Sequence, residues 1–213
     1  MTPTPLRALV VDYGGVLTSS VADTVAQWAQ ADDIDPALFG EVLRAWRREH
    51  PGGHPVHELE TGSLAAADFE RVLAERLRTR SGGRVAAKGL LTRIFAGFGS
   101  EPAMVGVLRR ARAAGLRTAL LSNSWGNVYP REQWGELFDA AVISGEVGLR
   151  KPDADIYLLV AERLGVEPAA CVFVDDLAAN VRGAVAVGMV GVHHVDPVAT
   201  IAELEVLFGA GLS

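Results

Sequence analysis

Asp12 closes the apolar run Leu9-Val10-Val11, and Gly14-Gly15 follows almost at once. In open parallel α/β sheets, sites lie at the carboxyl ends of the strands. The carboxylate is therefore expected where chemistry happens, beside a backbone free to turn sharply. Three more polar groups stand in comparable positions. Ser122-Asn123 follows Leu120-Leu121, Lys151-Pro152 precedes a helical pattern opening at Asp153, and Asp175-Asp176 follows Phe173-Val174. All four can converge at one edge of a parallel sheet. Together they offer a carboxylate nucleophile, a hydroxyl donor, a cation and an acidic pair. Mg²⁺ prefers oxygen ligands and is usually held by one or two carboxylates plus substrate phosphate. Phosphoryl transfer asks for positioning and charge neutralisation, and an aspartyl-phosphate is one established route.

The elements that must carry these groups are legible in the pattern. Ala8-Val11, Thr118-Leu121, Cys171-Val174 and Met189-Val192 read as buried strands, with Ala141-Ile143 a weaker fifth. Helical patterns run over Pro102-Ala114, Asp153-Leu164, Leu177-Val187 and Val198-Leu207. Pro102, Pro152 and Pro197 stand near helix starts, and Gly115, Gly165 and Gly188 near helix ends. Alternating strands and helices imply an α/β fold with a doubly wound parallel sheet. Between Thr18 and Gly99 only helical patterns occur: Val21-Ala31, Pro36-Glu49, Ala66-Arg80 and Lys88-Phe98. Pro51-Gly52-Gly53-His54-Pro55 and Ser81-Gly82-Gly83 read as breaks. The expected organisation is a core of residues 1–17 and 100–213 with an all-helical cap, 18–99, inserted after the first strand.

Composition narrows the function. The 213 residues carry a formal net charge of −6 and are 49% apolar. Such a balance argues against a general nucleic-acid binder, while a small phosphorylated substrate can still be drawn by a local cluster. Cys171 is the single cysteine and lies in an apolar run, which suggests a buried structural thiol. No apolar stretch reaches the roughly 18 residues of a membrane span. Met1-Thr2-Pro3-Thr4-Pro5 lacks the features of a signal peptide. A cytoplasmic protein is expected.

The four polar segments resemble the four motifs of the haloacid dehalogenase (HAD) superfamily, in that family's order. Gly145-Glu146-Val147-Gly148-Leu149-Arg150-Lys151-Pro152-Asp153-Ala154-Asp155-Ile156-Tyr157 is similar to motif three, and Val172-Phe173-Val174-Asp175-Asp176-Leu177-Ala178-Ala179-Asn180-Val181-Arg182-Gly183-Ala184 to motif four, of phosphatases with a helical cap, including the epoxide hydrolase N-terminal-domain-like group. Leu59-Glu60-Thr61-Gly62-Ser63-Leu64, followed by Phe69, resembles their cap-loop signature. The resemblance implies a Rossmannoid, Mg²⁺-dependent phosphatase. It makes Asp12 the nucleophile and a metal ligand, and the Gly14 carbonyl a second ligand. Asp176 would bind Mg²⁺ directly, with Asp175 a ligand or supporting partner. Ser122 and the Asn123 amide would hold phosphoryl oxygens, Lys151 would neutralise charge, and Thr61-Gly62 would face the leaving group.

The pattern departs at Gly14, where the resembling phosphatases carry an aspartate that acts as general acid and base. Such catalysis is typically worth about 10²–10⁴-fold. Its loss points to good leaving groups, such as sugar 1-phosphates, acyl phosphates or aryl phosphates, or to another proton donor. His54 and His57 have a suitable unperturbed pKa, although histidines in such a Pro/Gly-rich segment are ordinarily surface groups; Tyr13 is a weaker candidate. Trp125, directly after motif two, could border the pocket. His193-His194, neighbours at a strand end, point to opposite faces and suit no shared metal. Arg44, Arg47 and Arg48 read as a solvated helix face. Taken singly, each acidic or hydroxyl group could be a helix cap. A dehalogenase using Asp12 on carbon would need no metal, whereas Asp175-Asp176 look built for one. A receiver domain would carry its acidic pair early in the chain. A catalytically impaired protein that binds a phospho-ligand or partner is the third alternative.

Overall fold

The computed structural model describes residues 4–50, 53–126 and 129–209. In chain order the elements are β1 (Ala8–Val11), α1 (Val21–Ala31), α2 (Pro36–Glu49), α3 (Pro55–Glu60), α4 (Ala66–Arg76), α5 (Leu90–Ile94), α6 (Pro102–Ala113), β2 (Arg117–Ser122), α7 (Trp134–Leu137), β3 (Ala140–Ile143), α8 (Ser144–Val147), α9 (Ala154–Leu164), β4 (Cys171–Asp175), α10 (Ala178–Ala186), β5 (Val190–His193) and α11 (Pro197–Phe208). All strand pairs are parallel, in the order β3-β2-β1-β4-β5. The chain winds outward from β1 to β3, then returns to β4 on the other side. The reversal beside β1 is the switch point at which open α/β sheets bind ligands.

Alternation along β1 divides the core into two faces. Leu9 and Val11 pack with Met104, Val107 and Leu108 of α6 and Leu204 of α11. Ala8 and Val10 pack with Ile156, Tyr157 and Val160 of α9 and Ala184 of α10. Cys171 is fully buried in this second face, as its apolar neighbours imply, and burial pushes its thiol up to about 11. Helix starts follow capping chemistry. Asp35, Glu101 and Asp196 accept backbone N–H bonds at the heads of α2, α6 and α11, each ahead of a proline.

Helices α1 to α5 surround their own apolar cluster, which includes Trp28, Phe39, Trp46, Phe69, Leu73 and Ile94. The chain leaves and re-enters the sheet domain at adjacent points. Thr18 and Ser100 form an antiparallel bridge, the Ser19 amide donates to the Gly99 carbonyl (2.8 Å), and the Glu101 amide to the Leu17 carbonyl (2.9 Å).

Three expectations shift in this segment. The helix expected over Ala66-Arg80 stops at Arg76, because Arg78 pairs with Arg84 and Thr79 with Ile34 in short bridges around the Gly82-Gly83 turn. The helix expected over Lys88-Phe98 is a single short turn, α5. Its first amides are taken by the Glu70 carboxylate, which accepts from Gly89 (3.0 Å) and Leu91 (2.9 Å). The break expected at Pro51–Pro55 ends in a helix, α3, with Pro55 in its first turn; Pro51 and Gly52, like Met1-Thr2-Pro3 of the N-terminal segment, lie outside the described residues.

Gly62, after α3, has φ +76°, and a Cβ there would stand 2.6 Å from the Gly145 carbonyl oxygen. Gly148 is also left-handed (φ +70°) but faces open space. Gly62→Ala is expected to lower stability by about 2–3 kcal/mol, against about 1 kcal/mol for Gly148→Ala, as read by urea unfolding.

Candidate active site

Strand register brings the four motifs together. Val11 is level with Leu120 of β2 and Val174 of β4, and the Asp12 amide donates to the Val174 carbonyl at 2.9 Å. Asp12 is thus level with Asp175, while Ser122 ends β2 one step farther along. Lys151 arrives on the loop after α8. Its backbone is clamped by the Asn123 side chain, which accepts from the Lys151 N–H (2.9 Å) and donates to the Lys151 carbonyl (3.1 Å).

The Lys151 ammonium is 1% exposed and lies 2.8 Å from Asp12 Oδ1 and 2.6 Å from Asp175 Oδ2. Burial opposes its charge, but the two carboxylates outweigh it and hold its pKa above the ordinary lysine value. Asp175 is saturated with donors: its carboxylate also accepts from the Leu177 amide (2.8 Å) and from Asn180 Nδ2 (3.0 and 3.1 Å). Burial pushes Asp12 up to about 7; Lys151 pulls it down, while Asp175 and Asp176 push it up. Burial, then Asp175, pushes Asp176 up to about 6. Three carboxylates share one ammonium, so the site is short of positive charge.

A divalent cation fits that deficit. Oxygens of Asp12, Asp175 and Asp176 lie within 4.8 Å of one another. Because the Asp175 oxygens are already engaged, Asp12 and Asp176 are the better placed to hold an ion, with Asp175 fixing Lys151. The turn is shaped around Asp176. Gly15 is left-handed (φ +76°), and a Cβ there would come 2.6 Å from Asp176 Oδ2. Gly14 is under no such demand: a Cβ would meet Val21 Cγ2 at 3.4 Å and Phe98 Cζ at 3.7 Å, ordinary contacts. Glycine at position 14 is therefore a difference in chemistry rather than a requirement of the backbone.

The carboxylates open into a cavity of about 1240 Å³ between the sheet edge and the helical insert. Asp12, Gly14, Ser122, Asn123, Lys151 and Asp176 line one end. Tyr13 and Trp125 also border it. Tyr129, which no sequence motif marks, donates from its hydroxyl to Ser122 Oγ at 3.0 Å. Burial pushes that phenol up to about 12, so it stays protonated at neutral pH.

Thr61 and Gly62, expected to face the leaving group, are not among the described residues that line the cavity. The Thr61 hydroxyl turns back to the His57 carbonyl (2.9 Å), and Gly62 abuts Gly145. Their neighbour Glu60, unassigned from sequence, ties the insert to the sheet domain instead. Its carboxylate accepts from Arg150 Nε (2.8 Å) and Trp125 Nε1 (3.1 Å), and its carbonyl accepts from Ser144 Oγ (2.5 Å). His54 is not the surface group expected of its segment: it is 5% exposed and lies against His57, with ring centroids 3.8 Å apart and the planes tilted by 36°. Burial lowers both pKa values, with Arg47 among the charges adding to the effect. At the sheet's outer edge His193 pairs with the Asp176 carbonyl (2.9 Å) and His194 with Thr200 Oγ1 (2.8 Å).

Known proteins resemble this chain over most of its length. A family model described as haloacid dehalogenase-like hydrolase matches residues 6–188. The chain is 34% identical over 212 residues to the sesquiterpene phosphatase astK of Aspergillus oryzae, covering 97% of this chain and 98% of that protein. It is 30% identical over 194 residues to the phosphatase MT3486 of Mycobacterium tuberculosis, covering 86% and 85%. Other relatives are far longer: the chain spans 19% of acyl-CoA dehydrogenase family member 10 of Mus musculus and 39% of bifunctional epoxide hydrolase 2 of Rattus norvegicus. In fold it is similar to a HAD-family enzyme of Bacteroides thetaiotaomicron solved with magnesium and inorganic phosphate (TM-score 0.62, 19% identity, 88% of this chain and 93% of that one). The motif order on the sheet edge and the family match over most of the length converge on one conclusion: the chain belongs to the haloacid dehalogenase-like hydrolases.

Proposed function

We propose that the chain is a Mg²⁺-dependent phosphomonoesterase that passes a phosphoryl group through Asp12, acting in the cytoplasm on a small phosphorylated metabolite. The observation that carries this reading is the buried Lys151 ammonium bridging Asp12 and Asp175 beside Asp176. Asp12 attacks phosphorus, forming a carboxyl–phosphate bond as the bond to the leaving oxygen breaks. That oxygen departs with the electron pair and takes up a proton. Water then attacks the acyl-phosphate, releasing phosphate and restoring Asp12. Ser122 accepts its hydrogen bond from Tyr129, so its own proton is free for a phosphoryl oxygen. Lys151 offsets the charge on Asp12 and on the transferring group. Mg²⁺, held by Asp12, Asp176 and the Gly14 carbonyl, would supply the remaining charge neutralisation. Residues 18–99 act as the cap over the core of residues 1–17 and 100–213, excluding water during transfer.

With no carboxyl at position 14, the leaving group departs without the usual acid. Burial keeps His54 and His57 neutral near pH 7, which suits neither to replace it. Good leaving groups are therefore favoured.

Phosphate release from a series running from aryl and sugar 1-phosphates to alkyl phosphates tests the reading. The native protein is expected to act on the good leaving groups only and to stop in EDTA. Asp12→Asn is expected to be inert. Gly14→Asp is expected to gain about 10²–10⁴-fold on alkyl esters. Release by Gly14→Asp alone, with none by the native protein, would mark a binding protein on a phosphatase scaffold. Dehalogenation that survives EDTA would move the chemistry to carbon.

The Asp12 pKa also sets the pH dependence of metal-free stability. Its folded value, about 7, exceeds that of an unfolded aspartate, so the folded state holds the proton more tightly. That contribution is complete below the unfolded pKa and is lost as pH rises through about 7. The metal-free Tm is expected to fall between pH 5 and 8, and to fall less in Asp12→Asn. Added Mg²⁺ is expected to restore the native Tm at pH 8, as read by thermal unfolding.

A further inference from the structure

We propose that the leaving group of the substrate is a bulky apolar body bearing a hydroxyl, and that His54 is the residue that receives this hydroxyl. The proposal deepens the phosphomonoesterase reading and rests on it in one respect: the phosphoryl end is taken to be held at Asp12.

Two observations carry it. First, the cavity beyond the carboxylates is walled by apolar side chains of the insert, among them Val25, Phe39, Leu43, Val56, Leu91 and Phe95. A volume of about 1240 Å³ far exceeds the needs of a phosphate or a triose. Walls of this kind reward an apolar body by removing it from water. Second, His54 interrupts those walls. It is 5% exposed and lines the same cavity, yet among the described residues neither ring nitrogen has a hydrogen-bond partner. It stands at the head of α3 without making a capping bond. Buried polar groups are normally satisfied, and an unsatisfied one is costly. A leucine of similar size would fill the space without that cost.

The surroundings select the partner. The His57 ring lies tilted against it, and Arg47, Arg150 and Glu60 are the charged groups that act on it electrostatically. Arg150 is already paired with Glu60. The ring is therefore a neutral imidazole, with one N–H to donate and one bare nitrogen to accept. A hydroxyl, at once donor and acceptor, is a small neutral group that can answer either nitrogen. A site built around such a hydrogen bond discriminates strongly against the analogue lacking it.

The test measures binding, not turnover. Calorimetry in Mg²⁺ would compare decylphosphonate with a panel of hydroxydecylphosphonates, the hydroxyl placed at carbons six to ten, and with a carboxyalkylphosphonate of equal length. The native protein is expected to bind one hydroxy isomer about tenfold or more tightly than decylphosphonate. His54→Leu is expected to reverse the preference and to melt no lower than the native protein, because it removes an unpaired polar group. His54→Gln, which keeps a donor and an acceptor, is expected to retain part of the preference. Equal binding of hydroxy and plain chains, a preference unchanged in His54→Leu, or a preference for the carboxylate would each overturn the proposal. Turnover of 4-nitrophenyl phosphate, measured in parallel, separates the two readings. Turnover without hydroxyl preference removes the subsite alone; hydroxyl preference without turnover removes the phosphatase reading alone.

Discussion

A buried ammonium between two carboxylates organises this molecule. Lys151 reaches Asp12 on one side and Asp175 on the other, with almost no access to solvent. Burying a charge is costly unless it is paired and hydrogen-bonded, so each partner must itself be held. Asn123 fixes the Lys151 backbone, Asn180 and the Leu177 amide fix Asp175, and the Tyr157 hydroxyl fixes the Asn180 carbonyl at 2.7 Å. Breaking such a pair from one side typically costs about 3–5 kcal/mol, because the other charge is left uncompensated. The loop after β2, the loop after α8 and the head of α10 therefore form one electrostatic unit, though they are far apart in the chain.

That unit is left deliberately unbalanced. One ammonium faces Asp12, Asp175 and Asp176, and two of the acids carry raised pKa values as a result of burial and mutual repulsion. Strain of this sort is characteristic of functional sites, where stability is given up for a poised geometry. Gly14 fits the same picture from the opposite direction. Nothing in the backbone calls for glycine there, so the missing carboxyl bears on chemistry and not on folding.

The sheet and its polar strand ends were readable in sequence because the determinants are local. A short apolar run followed by Asp, Ser or Asp-Asp marks a buried strand and its polar end, and Ala8–Val11 and Cys171–Asp175 form as that pattern implies. The insert was less legible. Pro55 stands in a Pro/Gly-rich stretch that reads as a break, yet proline is also at home in a first helical turn, and α3 starts there. The short length of α5 depends on Glu70, which lies on another helix and captures its leading amides. The roles of Glu60, Tyr129 and Asn180 depend on partners distant in sequence. Glu60 and Asn180 stood inside recognisable motifs, but their types alone do not say whether they touch a ligand or brace a neighbour. The enclosure of His54 is likewise a property of tertiary packing, invisible to local composition.

The two crossings between the sheet domain and the insert run side by side, joined by the Thr18–Ser100 bridge and the hydrogen bonds around it. To the α/β core, the whole insert is a loop whose ends already meet. Loop-closure entropy grows only slowly with length, so a longer, shorter or unrelated insert could be spliced between Leu17 and Glu101 with little strain on the strands. The polar strand ends and the apolar walls of the cavity are in that sense separately heritable. Mutation can remodel what the pocket admits while the Lys151 unit stays intact, which makes this architecture a ready platform for grafting new specificities onto an unchanged reaction centre.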